Sequence, residues 1–176
     1  KFQGLLRDYE IAMSSAKGGT NLDNIEKKLV ANAPKDFELA EFKSSIALNK
    51  LLNDYMQAAQ SGDAKKLPEL TKQVAAIKPK DQRLLVRVAW TILNEERLQV
   101  RDYELATTLA KSAVDAGEGK DPGPIYVYAR ALFEGGKTAE AVAQVKQAIT
   151  AAGDNAEARQ QLESTLKQYE AKLAQK

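Results

Sequence analysis

The sequence predicts an all-α fold made of antiparallel helix pairs, about nine helices in all. Three observations predict it. Apolar residues recur at spacings of three and four and almost never alternate, so the strand pattern is missing. The ten glycines and five prolines fall mostly between the periodic segments, where they act as punctuation. The helical segments also come in pairs that recur about every 34 residues, the sequence signature of a repeat architecture.

Taken in order, residues 2–15 place Phe2, Leu5, Leu6, Tyr9 and Met13 on one stripe, and Gly18-Gly19 ends that element. The next helix carries Leu22, Ile25, Leu29 and Val30, with Asn21 or Asp23 as its expected cap and Pro34 closing it. From Asp36 to Gln60 no breaker intervenes, and Phe37, Phe42, Ile46, Leu48, Leu51, Leu52, Tyr55 and Met56 keep helical spacing. One long helix is expected there. Gly62-Asp63 makes a turn. Leu67, Leu70, Val74 and Ile77 mark a further helix, with Pro68 in its first turn, where a missing N–H costs little. Lys78-Pro79-Lys80-Asp81 breaks the pattern again.

Residues 82–96 hold Leu84, Leu85, Val88, Ala89, Ile92 and Leu93, followed by a polar stretch from Asn94 to Asp102. Residues 103–116 repeat the spacing with Leu105, Ala106, Leu109, Ala110 and Ala113. Gly117 to Gly123 is a loop. Ile125 to Phe133 is a short helix ended by Gly135-Gly136, and Ala139 to Ala151 is its partner. Asp154 is the expected cap of a last helix carrying Ala158, Leu162, Leu166, Tyr169 and Leu173.

Composition excludes whole classes of chemistry. With no cysteine and no histidine, there is no disulfide, thiol nucleophile, Cys/His zinc site or Ser-His-Asp triad, and no cofactor or metal is expected. The 26 basic and 24 acidic residues leave a net charge of +2, too little for a general nucleic-acid binder. No apolar run approaches the roughly 20 residues of a membrane helix, so membrane insertion is not expected. The start shows no signal peptide. Lys1 in place of an initiating Met leads to the expectation of a processed or excised chain, and the absence of cysteine inclines the expected compartment toward the extracytoplasmic one.

The repeat is clearest from Pro122 to Asn155, a span of 34 residues. Its first helix has Ile125, Tyr128, Ala129 and Leu132, Gly136 makes the turn, and its second helix has Ala141, Val145, Ala148 and Ile149. A copy at Gln82 to Asp121 has Leu85, Val88, Ala89 and Ile92, then Ala106, Ala110 and Ala113, with about five extra residues in its turn. A degenerate copy at Leu48 to Asp81 has Leu51, Tyr55 and Ala58, then Gly62, Leu67, Thr71 and Val74, with Pro79 closing it. Asp54 is a poor match there. A faint fourth copy precedes Pro34. This pattern resembles the tetratricopeptide repeat, with Ala129 and Ala141 where that family uses small residues so that two helices can approach closely.

The resemblance implies a right-handed superhelical array spanning residues 1–176 as one domain. Divergent helices occupy 1–47, repeats occupy 48–81, 82–121 and 122–155, and a capping helix occupies 156–176. The chain is then expected to be a monomer, with a dimer seam along the last helix as the alternative.

In such arrays the first helices line a concave groove, and the side chains facing it are those not spent on packing. The candidates are Arg83, Arg87, Trp90 and Asn94, with Tyr126, Arg130 and Phe133, and, from the earlier copy, Leu52, Asn53 and Met56. Trp90, the single tryptophan, is either an aromatic anchor for a partner segment or packing against the neighbouring repeat. Tyr126 and Arg130 lie one turn apart and would set an aromatic face beside a charge. Some family members clamp C-terminal carboxylates with lysine and asparagine. The corresponding positions here are Leu52, Met56, Arg87, Gly123 and Val127, of which only Arg87 could serve, so that clamp is not expected.

Gly135-Gly136-Lys137-Thr138 lacks the earlier glycine and the preceding strand of a phosphate-binding loop, and reads as a helix-hairpin turn. Glu95-Glu96 lies in a polar loop with no sign of a cleft. The expected function is therefore non-enzymatic: a scaffold that binds another protein or a peptide segment, and not nucleic acid. The alternative starts from Val88-Ala89-Trp90-Thr91-Ile92-Leu93, the polar insertion and Arg101-Asp102, which resemble the helical tails of extracytoplasmic thioredoxin-like proteins. It makes the chain an accessory domain of a secreted thiol-disulfide oxidoreductase whose redox cysteines lie outside these residues.

Overall fold

A computed structural model describes residues 1–14, 19–76 and 82–175. The described residues form nine helices and no strand: α1 (Phe2–Ser14), α2 (Gly19–Asn32), α3 (Leu39–Ser61), α4 (Leu67–Ala76), α5 (Gln82–Asn94), α6 (Tyr103–Ala116), α7 (Pro122–Glu134), α8 (Thr138–Ala151) and α9 (Ala156–Leu173). None of them is long and apolar enough to cross a membrane. The expected breaks at Gly18 and at Lys78 to Asp81, and Ile77, fall outside the described residues.

Several boundaries differ from expectation for identifiable reasons. α2 already begins at Gly19, so Asn21 and Asp23 lie within the helix and neither is its cap. α3 starts at Leu39, because Pro34 to Asp36 form a turn in which the Phe37 N–H donates to the Pro34 carbonyl at 3.1 Å. α7 starts three residues before Ile125, since the Asp121 carboxylate accepts from the Gly123 N–H and Pro122 suits the first helical position. The cap of α9 is Asn155 and not Asp154: its side-chain oxygen accepts from the Ala158 N–H at 3.1 Å.

The chain divides into two compact units, Lys1–Asn49 and Lys50–Lys176. The boundary falls inside α3, two residues beyond the expected end of the divergent segment. In the first unit, Tyr9, Ile25 and Leu29 form a buried core, with Phe2, Leu5, Leu6, Phe42 and Ile46 packed against it. The Phe2 and Phe37 rings meet edge-on at 4.9 Å, and Phe42 lies 5.7 Å from Phe37 and 5.6 Å from Tyr9. Such rings bury much area and contribute further through their quadrupoles. One polar relay ties the three helices together. The Tyr9 hydroxyl donates to Glu26 at 2.8 Å, and Glu26 pairs with Lys43 at 2.6 Å.

In the second unit consecutive helices pack in chain order from α5 to α9, and helices two apart also meet, α4 with α6 and α5 with α7. The seams are small: Ala89, Ala106, Ala110, Ala113, Ala129, Ala141 and Ala148 are fully buried. Small residues let helix axes approach to the short end of the usual 8–10 Å range. The α7–α8 turn needs Gly136, whose φ of 81° is open to glycine at little cost, and the following Lys137 N–H returns to the Leu132 carbonyl at 2.8 Å.

The insertion between α5 and α6 is fastened on several sides. Leu98 is buried, and the Gln99 N–H donates to the Ala59 carbonyl of α3 at 3.1 Å. The Arg101 guanidinium donates to the Ile92 and Leu93 carbonyls at 3.1 and 2.9 Å, closing the C-terminus of α5. Asp102 caps α6 through the Leu105 N–H and accepts from the Thr71 hydroxyl of α4, both at 2.8 Å. Tyr55 is fully buried in the same unit, and its hydroxyl has no hydrogen-bond partner among the described residues. Burial first, and the Asp102 charge second, push its pKa upward.

Two predictions follow from this packing. The bonds from Lys43 and then Tyr9 hold the Glu26 carboxyl below its ordinary range. A depressed folded pKa stabilises above the unfolded value of about 4.3 and is lost as pH falls through the folded one. Glu26→Gln should therefore lower Tm by roughly 2–4 °C near neutrality, and the gap to the unsubstituted chain should close in acid. A gap that stays constant from neutrality through the acid range would contradict the relay. Tyr55→Phe removes a buried hydroxyl that makes no hydrogen bond of good geometry among the described residues, so denaturant unfolding should show stability unchanged or raised within about 1 kcal/mol; a clear loss would reveal a partner for that hydroxyl.

Candidate functional site

The buried residues of α5 are Leu84, Leu85, Val88, Ala89, Ile92 and Leu93. With 3.6 residues per turn they occupy one half of the helix and leave Arg83, Arg87, Trp90 and Asn94 together on the other. On α7, burial of Ile125, Val127, Ala129, Ala131 and Leu132 leaves Tyr126, Arg130 and Phe133 on a shared stripe in the same way. Because α5 packs on α7, the two stripes come together.

Trp90 is 41% exposed, unusual for a residue that could bury so much area. Its ring centroid lies 6.5 Å from that of Tyr126, with the planes tilted by 44°. The Arg130 guanidinium carbon sits 5.0 Å from the indole centroid, inside the range of a cation–π contact. The structure thus joins three of the sequence candidates into one cluster. Trp90 packs against Tyr126 and Arg130 of the next helix pair and still leaves part of its ring exposed.

Phe133 is half-buried because Tyr169 of α9 stacks on it at 3.8 Å with the rings 5° from parallel. Tyr169 was expected to serve only the packing stripe of the last helix, and its place beside this cluster was missed. The available signal was an aromatic on α9, the helix that follows the α7–α8 pair. Burial pushes the Tyr169 hydroxyl up to about 12; Tyr126 and Glu134 add to this and Arg130 opposes it, so all three lie near enough to act on it. The hydroxyl stays neutral near pH 7 and can donate a hydrogen bond.

Other candidates are placed differently. Arg83 and Arg87 are exposed, while Asn94 is half-buried and spends its amide on the Trp90 carbonyl at 2.7 Å. Asn53 is exposed and Met56 half-buried. Leu52 is a correction: at 6% exposure it belongs to the core and offers almost nothing to a partner. Its position on a three-four spacing was compatible with either face, and burial decides.

Glu95 takes both arms of the Arg97 side chain, at 2.8 and 3.1 Å, and these bonds hold its pKa down at about 2, the opposite of what a general acid requires. Gly135 to Lys137 form the turn between α7 and α8, preceded by a helix, and Thr138 opens α8. An open hollow of about 610 Å³ lies beside Asp54, Asp63 and Glu69, where Asp63 accepts from the Lys65 and Lys66 N–H groups and Glu69 from the Gln73 amide. A second, of about 600 Å³, is lined by Thr107, Thr108 and Ser112, whose hydroxyls donate to carbonyls of their own helix. The described residues contain no group of three or more carboxylates suited to a metal ion.

Comparison with protein-family models, with curated proteins and with solved structures gives no match to this chain.

A single tryptophan makes the cluster directly measurable. With Arg130 covering one face of the indole, Arg130→Ala should raise acrylamide quenching of Trp90 fluorescence while costing at most about 1 kcal/mol of stability. Equal quenching in the two proteins would remove Arg130 from the ring.

Proposed function

We propose that this chain is a non-enzymatic interaction module that binds another protein or a peptide segment. The binding surface is a concave groove lined by the first helix of each repeat, α3, α5 and α7. The single observation that carries the reading is the exposed Trp90, flanked by Tyr126 and covered on one face by Arg130. Tryptophan, tyrosine and arginine are the residues most enriched where truncation costs an interface most, and rigid aromatic anchors lose little entropy on binding.

Two features support the tetratricopeptide-like arrangement behind this proposal. The pairs α5–α6 and α7–α8 stack with alanine seams, and helices two apart meet. In that arrangement the α5 and α7 stripes face the partner, and binding needs no rearrangement of the helices. The mechanism is burial of a partner's apolar side chains against Trp90 and Tyr126, with polar contacts at the rim.

The test uses the whole chain. Peptides selected on it from a random displayed library should lose about 30-fold in affinity on the Trp90→Ala/Arg130→Ala protein, the scale of a binding hot spot. Far-UV dichroism should show unchanged helicity. Selected peptides that bind the double variant equally would overturn the assignment of this face.

A further inference from the structure

The cluster described above is aromatic, but its surroundings carry a second signal. The unit from Lys50 to Lys176 has six arginines: Arg83, Arg87, Arg97, Arg101, Arg130 and Arg159. Three of them are held internally. Arg97 grips Glu95, Arg101 caps α5, and Arg159 faces Glu163 and the Gly153 carbonyl. The other three are Arg83, Arg87 and Arg130, the three on the face around Trp90. None of them meets a carboxylate among the described residues, and Arg130 has the indole as its contact. α5 itself contains two arginines and no acidic residue, whereas α6 pairs Lys111 with Asp115 and α8 pairs Lys146 with Glu170 of α9.

Arginine is a specific choice for such a position. Its planar fork matches a carboxylate with two parallel hydrogen bonds, and it is desolvated more readily than an ammonium. Arg83 and Arg87 are four residues apart, so both project on one side of α5 with Trp90 a further turn along.

We infer that the partner segment is an acidic peptide: an extended stretch whose carboxylates meet Arg83 and Arg87 and whose apolar or aromatic side chain lies on Trp90 and Tyr126. This rests on the interaction-module reading and adds the chemistry of the partner. A nucleic acid fits the same face poorly. A polyphosphate backbone is attracted by a continuous basic stripe, and here Asp121 and Glu134 stand at the two ends of α7 while the whole chain carries only +2.

The experiment is selection of a random displayed peptide library on the whole chain, scored for composition and then measured with the winning synthetic peptides. The comparison proteins are Trp90→Ala, Arg83→Glu/Arg87→Glu and the milder Arg83→Gln/Arg87→Gln, each checked for unchanged helicity. Both arginines are exposed, so folding should survive. Enriched peptides should be acidic with an apolar anchor. They should weaken between about 0.05 and 0.3 M salt, lose at least about tenfold on charge reversal, and recover when their own carboxylates are replaced by lysine.

Winning peptides that depend on Trp90 but are neutral or basic, or that ignore the charge reversal, would overturn the acidic partner and leave the interaction module standing. Failure to obtain any Trp90-dependent peptide would remove the module and this inference together. Two further outcomes would overturn the acidic-peptide assignment: single-stranded RNA of matching length binding more tightly than the peptides, or self-association of the chain abolished by Trp90→Ala.

Discussion

The organisation of the larger unit depends on close approach at alanine seams. Ala89, Ala106, Ala110, Ala113, Ala129, Ala141 and Ala148 are all fully buried, and no large side chain could replace them without pushing neighbouring helices apart. This constraint assigns the remaining residues. Leucine, isoleucine and valine fill the spaces beside the seams, as Ile125, Leu132 and Val145 do. Aromatic rings too large for a seam must stand at its edge or on the opposite face. Trp90, Tyr126 and Phe133 are placed there, and so the packing of the helices and the composition of the candidate site are two consequences of one requirement.

Electrostatics divides along a similar line. Where charge serves the fold, it is satisfied locally: Asp102 caps α6 and receives Thr71, Arg101 closes α5, and Glu26 links Tyr9 with Lys43. The segment between α5 and α6 illustrates the cost of a long connection between packed helices. Extra backbone groups have to be paired, and the Gln99 N–H reaches the Ala59 carbonyl while Arg101 takes two helix-terminal carbonyls. The arginines without such partners stand on the face of α5 and α7 that packing leaves open.

Helix existence was legible in the sequence because the three-four spacing of apolar residues is strong over every segment, and the nine helices follow it. Ends were less legible where two capping residues adjoin. Asp154 and Asn155 are both good caps, and only the path of the backbone gives the role to Asn155. At Asp121, a proline that suits the first helical position moves the start of α7 ahead of the first periodic residue. Among the candidate residues, the placement of Trp90, Tyr126 and Arg130 away from the core was legible because each falls outside the apolar stripe of its own helix. Leu52 was not, since an apolar residue at a stripe's edge can belong to either side until its neighbours are known. Tyr169 was not either, because its stacking on Phe133 links helices that are far apart in the chain.

The absence of cysteine and histidine, the near balance of charge and the helical periodicity are properties of the chain alone, and each limits chemistry or local structure without reference to any other residue. They determined an all-α protein and the half of each helix that seeks burial. Tertiary structure decided what lies beside each exposed stripe. Contact between α5 and α7 sets the Arg130 guanidinium over Trp90 and Tyr126 at its edge. The physical reason is range: periodicity is written over a few neighbouring residues, whereas a cation–π contact 40 residues apart exists only once two packed helices have fixed their mutual register.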